Sequence, residues 1–113
     1  MHFKKLFLSL ISVFLFLSSQ AQKVFSCEYA SQADVKVFVV DYESQADLLV
    51  HKKDYSSQAS GNKGQWFFVE YSSQADKKVF FVDYASQAAL KIYFVDYSSR
   101  AGWREKSKSH LMY

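Results

Sequence analysis

An acid followed by tyrosine recurs six times along the chain, at Glu28-Tyr29, Asp41-Tyr42, Asp54-Tyr55, Glu70-Tyr71, Asp83-Tyr84 and Asp96-Tyr97, with the tyrosines spaced 13, 13, 16, 13 and 13 residues apart. After each tyrosine comes one variable residue and then Ser-Gln-Ala, which becomes Ser99-Arg100-Ala101 in the last copy. Before each acid lies a short run: KVFSC, KVFVV, LVHKK, QWFFV, KVFFV and KIYFV. Such self-similarity constrains the fold more than composition does, because one small unit must bury its apolar face against its own copies. A small solenoid or a closed cluster of short units is the outcome.

The runs are rich in Val, Phe, Tyr and Ile and span four to six residues between polar corners, which favours strands. A helix of that length would be marginal. The predicted fold class is therefore all-β: six short strand-plus-turn repeats of about 13 residues in one compact domain, with a short-repeat β-solenoid as the alternative. At the corners, Ser and Asp side chains can accept hydrogen bonds from backbone N–H groups one to three residues on, so a turn or single helical turn is expected at each xSQAD, its alanine facing a crowded interior.

Alternation along a strand puts Cys27, Val40, Lys53, Val69, Val82 and Val95 on the face of the tyrosines, and Ser26, Val39, Lys52, Phe68, Phe81 and Phe94 on the other. Both faces are apolar in most copies, which predicts strands buried on both sides. Cys27 takes a valine position and reads as a small buried hydrophobe rather than a reactive thiol. The repeat tyrosines Tyr29, Tyr42, Tyr55, Tyr71, Tyr84 and Tyr97 are expected in the core, each with a hydrogen-bonded hydroxyl.

The third copy departs from the pattern. His51, Lys52 and Lys53 replace apolar residues, which predicts an exposed edge strand, since charge there discourages stray pairing. Ser60-Gly61-Asn62-Lys63-Gly64 adds three residues before Gln65 and predicts a loop at the midpoint of a three-plus-three, pseudo-twofold arrangement.

Residues 1–21 read as a secretory signal peptide: Lys4 and Lys5 form a basic start, LFLSLISVFLFL is the apolar stretch, and Ser19-Gln20-Ala21 supplies small residues for cleavage. The stretch is too short to span about 30 Å of hydrocarbon, so no transmembrane segment is expected in the mature chain. Export to the periplasm or the extracellular space follows. Lipid attachment at Cys27 is disfavoured, because Val24-Phe25-Ser26 lacks the small residues such a site needs.

Without Lys4 and Lys5 the mature chain carries 12 basic against 11 acidic side chains, a net charge of about +1, with no basic stripe to bind nucleic acid. Cys27 is the single cysteine, so no intramolecular disulfide can support the fold despite an oxidising destination.

The alternation of K-[VI]-[FY]-x-V-D-Y with x-S-Q-A-D, ending in Ala101-Gly102-Trp103, resembles the septoil knot family of small bacterial proteins over residues 23–103. The resemblance implies short β-strands wound into a deeply knotted, seven-crossing torus knot, although true knots are rare among folds generally. It transfers no catalytic residue, ligand or cofactor. Arg100 in place of the corner glutamine, and Ala89 and Gly102 in place of the corner aspartate, depart from the pattern.

Catalysis needs unlike groups that converge, whereas this chain repeats like groups. His2 leaves with the leader, His110 lies in the tail, and His51 has no partner at metal-ligand spacing, so no catalytic residue, metal or cofactor is expected. The six acids are expected to accept turn N–H bonds or to face solvent. The tail at residues 104–113 is charged and without period, and is expected to fray.

The leading expectation is a non-enzymatic, exported and durable structural or binding module, monomeric, acting at a bacterial envelope. The alternative is a module for glycans or another envelope polymer, with a ligand surface at His51, Lys53, Trp66 and Trp103. Specific function is expected where the repeat fails, at residues 51–53, 60–64 and 100–103.

Overall fold

The structure, a computed structural model, describes residues 21–55 and 61–113. The signal-peptide reading lies outside the described residues apart from Ala21, and so does Ser60 of the insertion. Among the described residues there are seven strands: β1 (Ala21–Ser26), β2 (Val35–Val39), β3 (Leu48–Lys52), β4 (Gly61–Phe68), β5 (Lys77–Phe81), β6 (Leu90–Phe94) and β7 (Gly102–Trp103). Single 3-10 turns η1 (Ala30–Gln32), η2 (Glu43–Gln45), η3 (Ser72–Gln74), η4 (Ala85–Gln87) and η5 (Ser98–Arg100) occupy the five described corners, as their composition predicts, the third-copy corner lying outside the described residues, and a longer η6 (Lys106–Met112) ends the chain.

The first six strands are parallel and run in the order β4-β1-β5-β2-β6-β3, with β3 pairing back to β4. The sheet is thus a closed barrel, in which each strand of the first half sits between two strands of the second. Neither half pairs its own strands, so every rung of the barrel joins the two halves, and all but β3–β4 join strands that are not consecutive in the chain. Val24 pairs Phe68 and Lys77, for example, and Leu48 pairs Ile92. Within each half the chain leaves a strand, steps outside its neighbour, and re-enters two places along, whereas β3 and β4, which join the halves, are direct neighbours.

That step has one geometry throughout. The N–H of Cys27, Val40, Lys53, Val69, Val82 and Val95 donates to the carbonyl of Val79, Ile92, Trp66, Val24, Val37 and Val50 respectively, at 2.7 to 2.9 Å. The corner aspartates then clasp the strand beneath. Asp34, Asp47 and Asp76 donate their own N–H to the carbonyls of Lys78, Lys91 and Lys23, while the carboxylate accepts the N–H of the same lysine at 2.9 Å. These partners lie 44 to 53 residues away, not the one to three of a local turn, so the corner aspartates lock the winding rather than the bend. Ala89 keeps only the backbone half of the clasp, donating to Lys36.

The interior is defined by the residue five before each tyrosine. Val24, Val37, Val50, Trp66, Val79 and Ile92 all have no exposure, and each points to the barrel axis. Val35, Leu48 and Leu90 form a layer below, and Phe68, Phe81 and Phe94 partly close the far end. The tyrosines are on the outside, exposed by 63% to 68%, which corrects the expectation that they build the core. Each stands two residues after the last N–H that bonds to the neighbouring strand, so its ring leaves the sheet just where the chain turns outward. Cys27 is buried at 7% exposure in its valine place, and burial raises its thiol pKa, against a smaller lowering by Lys78.

Three further expectations are corrected. The third strand is no edge: β3 pairs β6, β4 and, antiparallel, β7, and Lys52 reaches over the rings of Phe68 and Phe94 at 5.4 and 5.7 Å. Its charge therefore sits at the barrel mouth, where one end of the side chain is already in water. The insertion is not a loop in its described part, because residues 61–64 lengthen β4 through a register break opposite Ala21 and Gln22. Gly64 has φ of +80° and lies so close to the Leu49 carbonyl that a Cβ would collide with it, so only glycine fits.

The tail does not fray. η6 closes the barrel base, where Met112 is fully buried, Leu111 packs on the core, and the Gln22 amide donates to the Met112 carbonyl. Arg104 and Glu105 both donate backbone N–H groups to the Asp47 carbonyl, and Lys108 pairs with the Asp47 carboxylate at 3.1 Å.

Candidate binding surface

The four residues proposed as a ligand surface are not brought together. Trp66 faces the barrel axis with no exposure, because it occupies the place that Val24 or Ile92 holds in other copies, and it cannot serve as a platform. Its ring meets Phe68 edge-on at 6.0 Å. Trp103 is half-buried at the opposite end, packed against the core and paired with Leu48. It borders an open groove of about 360 Å³ with Lys63, Lys106 and Tyr113. His51 points outward, its Nε2 3.1 Å from the Asp96 carbonyl, which makes Nε2–H the donor. Lys53 is half-buried at the exit of β3 and is held by its N–H bond to Trp66.

The other repeat failures are also packing devices. Arg100, which stands where other copies have glutamine, pairs with Glu43, and Arg104 donates to the Glu43 carbonyl, so η5 is tied to η2. Both partners are substantially exposed, and such a pair adds little stability.

What the fold does present is a belt. The strands are parallel, so all six exits lie toward one end of the barrel, and each carries an exposed acid and an exposed tyrosine. The backbone at the described N-cap tyrosines is nearly constant, with φ from −120° to −132° and ψ from 136° to 140°. The rings therefore leave the barrel with the same local frame. Beneath the belt the outward positions of β1, β2, β5 and β6 carry lysine and an aromatic in alternation, as in Lys23 and Phe25 or Lys78 and Phe80.

The signal for this surface was in the repeat but pointed two ways, since a strictly repeated tyrosine can mean core or surface. Among the described residues no three His, Cys, Asp or Glu side chains are gathered as metal ligands. No described helix is long and apolar enough to cross a membrane.

Comparison with curated proteins and with solved structures gives no match. Comparison with protein families matches residues 21–104, the whole barrel together with β7, to the 7(1) septoil knot domain. A six-stranded parallel barrel with interleaved halves, a 13-residue step and a shared corner is thus placed by kinship as well as by geometry: the chain belongs to the septoil knot domain family.

Proposed function

We propose that the protein is an exported, non-enzymatic structural or binding module, in which the barrel is a durable frame and the tyrosine belt is the working surface. One observation carries this reading. Tyrosine, like the corner serine and alanine, is repeated in all six copies, yet its large ring is about two-thirds exposed, whereas the fully buried position varies among valine, isoleucine and tryptophan. Packing does not require the tyrosine, and drift at the buried position argues against simple copying as the reason for its constancy. Exposed aromatic residues with one polar end are well suited to recognition.

The leader-like residues 1–21 support export, and the interleaved pairing supports durability. A chain that must withdraw each strand from between two others unfolds slowly and resists proteolysis, and a septoil knot would strengthen both effects. Unfolding within seconds in strong denaturant, with equally fast refolding, would contradict that part of the reading.

The working surface is tested by sedimentation with insoluble envelope polymers. The mature chain should co-sediment without releasing soluble fragments, and Tyr71→Ser, Tyr84→Ser and Tyr97→Ser together should abolish retention at an unchanged unfolding midpoint. Soluble products would make the protein an enzyme, and retention indifferent to the tyrosines would remove the belt.

A further inference from the structure

Two open grooves on the outer surface repeat one set of chemical groups. The first, of about 540 Å³, is bordered by Phe25 and Glu28 at the exit of β1, by Gln32 of η1, by Lys78 of β5 and by Ser72 of η3. The second, of about 680 Å³, is bordered by Phe67 and Glu70 at the exit of β4, by Ser73 and Gln74 of η3 and by Lys23 of β1. Counted from Tyr29 and Tyr71, the aromatic, the acid and the glutamine fall at identical offsets, and each lysine stands six before its own tyrosine. Both grooves touch η3, and β4, β1 and β5 are consecutive in the barrel, so the grooves adjoin on either side of one turn.

These are the two copies in which the acid before tyrosine is glutamate; the other four have aspartate. The walls are set by the fold. Asp34 fixes the backbone of Lys78 and Asp76 that of Lys23, while the N–H groups of Gln32 and Gln74 bond to the carbonyls of Tyr29 and Tyr71. A site whose backbone is already fixed loses less freedom when a ligand is bound.

The chemistry selects the ligand. Each groove presents one carboxylate and one ammonium, hence no net charge, together with an amide and a hydroxyl that both donate and accept, beside the half-buried ring of Phe25 or Phe67. A matching molecule is neutral, dense in alternating donors and acceptors, and has an apolar face to lay on an aromatic ring. An extended peptide fits less well, because the closed barrel offers no free edge on which to add a strand. We propose that the adjoining grooves are two subsites of one track for a neutral carbohydrate chain, one sugar unit against each of Phe25 and Phe67. The proposal rests on the outer surface being the working surface and moves the contact from the tyrosine rings to the grooves between them.

The test is calorimetric titration of the mature chain with neutral cello-, xylo-, manno- and chito-oligosaccharides from the monosaccharide upward. In at least one series affinity should rise steeply from mono- to disaccharide, with one site per chain, and Glu28→Gln and Glu70→Gln should each weaken the disaccharide about tenfold or more. Unfolding midpoints of both variants should match the parent, which separates lost contacts from lost fold. Absence of binding in every series, or binding unmoved by both substitutions, overturns the site; sensitivity to only one overturns the two-subsite track; tighter binding of an acidic oligosaccharide overturns the neutral assignment. If the oligosaccharides fail while the tyrosine-dependent sedimentation succeeds, the groove site falls and the belt stands. If both fail, the outer-surface reading falls with it.

Discussion

Two rings of six equivalent residues organise this molecule, and they obey opposite rules. The inner ring, five residues before each tyrosine, is wholly buried and accepts Val, Ile or Trp; the outer ring is tyrosine in every copy and stays mostly in water. The difference shows that the core is specified by apolar character and total volume, which neighbours can share. The belt is specified by identity. Repetition in a sequence is therefore no index of burial, since the invariant tyrosine stays mostly in water.

The sharpest way to break that contrast is at Trp66. Trp66→Ala should destabilise the protein by about 3–5 kcal/mol, because it empties the largest buried side chain at the barrel axis. A shift in denaturant midpoint corresponding to less than about 1 kcal/mol would show that the inner ring does not carry the core. Met112→Ala comes next, at about 2–5 kcal/mol, since η6 closes the base with a side chain of no exposure. Hydrogen exchange should quicken first at Gln22 and Leu48, which lie nearest the opened end; unchanged protection there would mean that the plug is dispensable.

The clasps offer a smaller and two-sided test. Asp34→Ala should cost roughly 1–3 kcal/mol by removing a charged acceptor from the Lys78 N–H. Ala89→Asp should gain about 1 kcal/mol by completing the clasp that this copy holds only through its backbone. Loss without gain would show that Ala89 sits in a corner that the carboxylate cannot enter.

Much of this architecture is legible from the 13-residue step, and the illegible parts share one cause. Strand, corner and single turn follow from local composition, and the valine place of Cys27 follows from aligning the copies. Alternation shows which residues share a face but not which face looks inward, so the tyrosines are easily assigned to the wrong side. The alignment does hold the correction for Trp66, which falls in register with Val24, Val37, Val50, Val79 and Ile92. Interleaving leaves no local mark, because every rung except β3–β4 joins residues of non-consecutive strands far apart in the chain. The plug is hidden for the same reason: in REKSKSHLMY the burial of Met112 depends on an opening made by six strands elsewhere. The repeat failures follow suit, since Gly64, Lys52 and Arg100 each answer a contact in the wound barrel.

A weaker effect separates the belt from its footing. The raised thiol pKa of Cys27 means that the folded state holds its proton more tightly than the unfolded chain. Its contribution is complete below the unfolded thiol's pKa and is lost as pH rises through the folded value. Cys27→Val, the residue most other copies use at this place, should leave stability at neutral pH nearly unchanged and flatten the alkaline decline. A decline that persists in the variant would assign it to other groups.

The smallest expected change is the one that matters most to the outer ring. Tyr84→Ser alters a side chain that is 67% exposed, on a backbone held by the Val82 N–H to the Val37 carbonyl and by the turn η4, so its cost should lie within about 0.5 kcal/mol. Thermal and denaturant midpoints should coincide with those of the parent. A loss above about 1 kcal/mol would mean that the ring braces the corner it precedes, and the constancy of tyrosine would then be explained by folding. Coincident midpoints leave its sixfold repetition without a packing cause, and the cause must then be sought in what the belt touches.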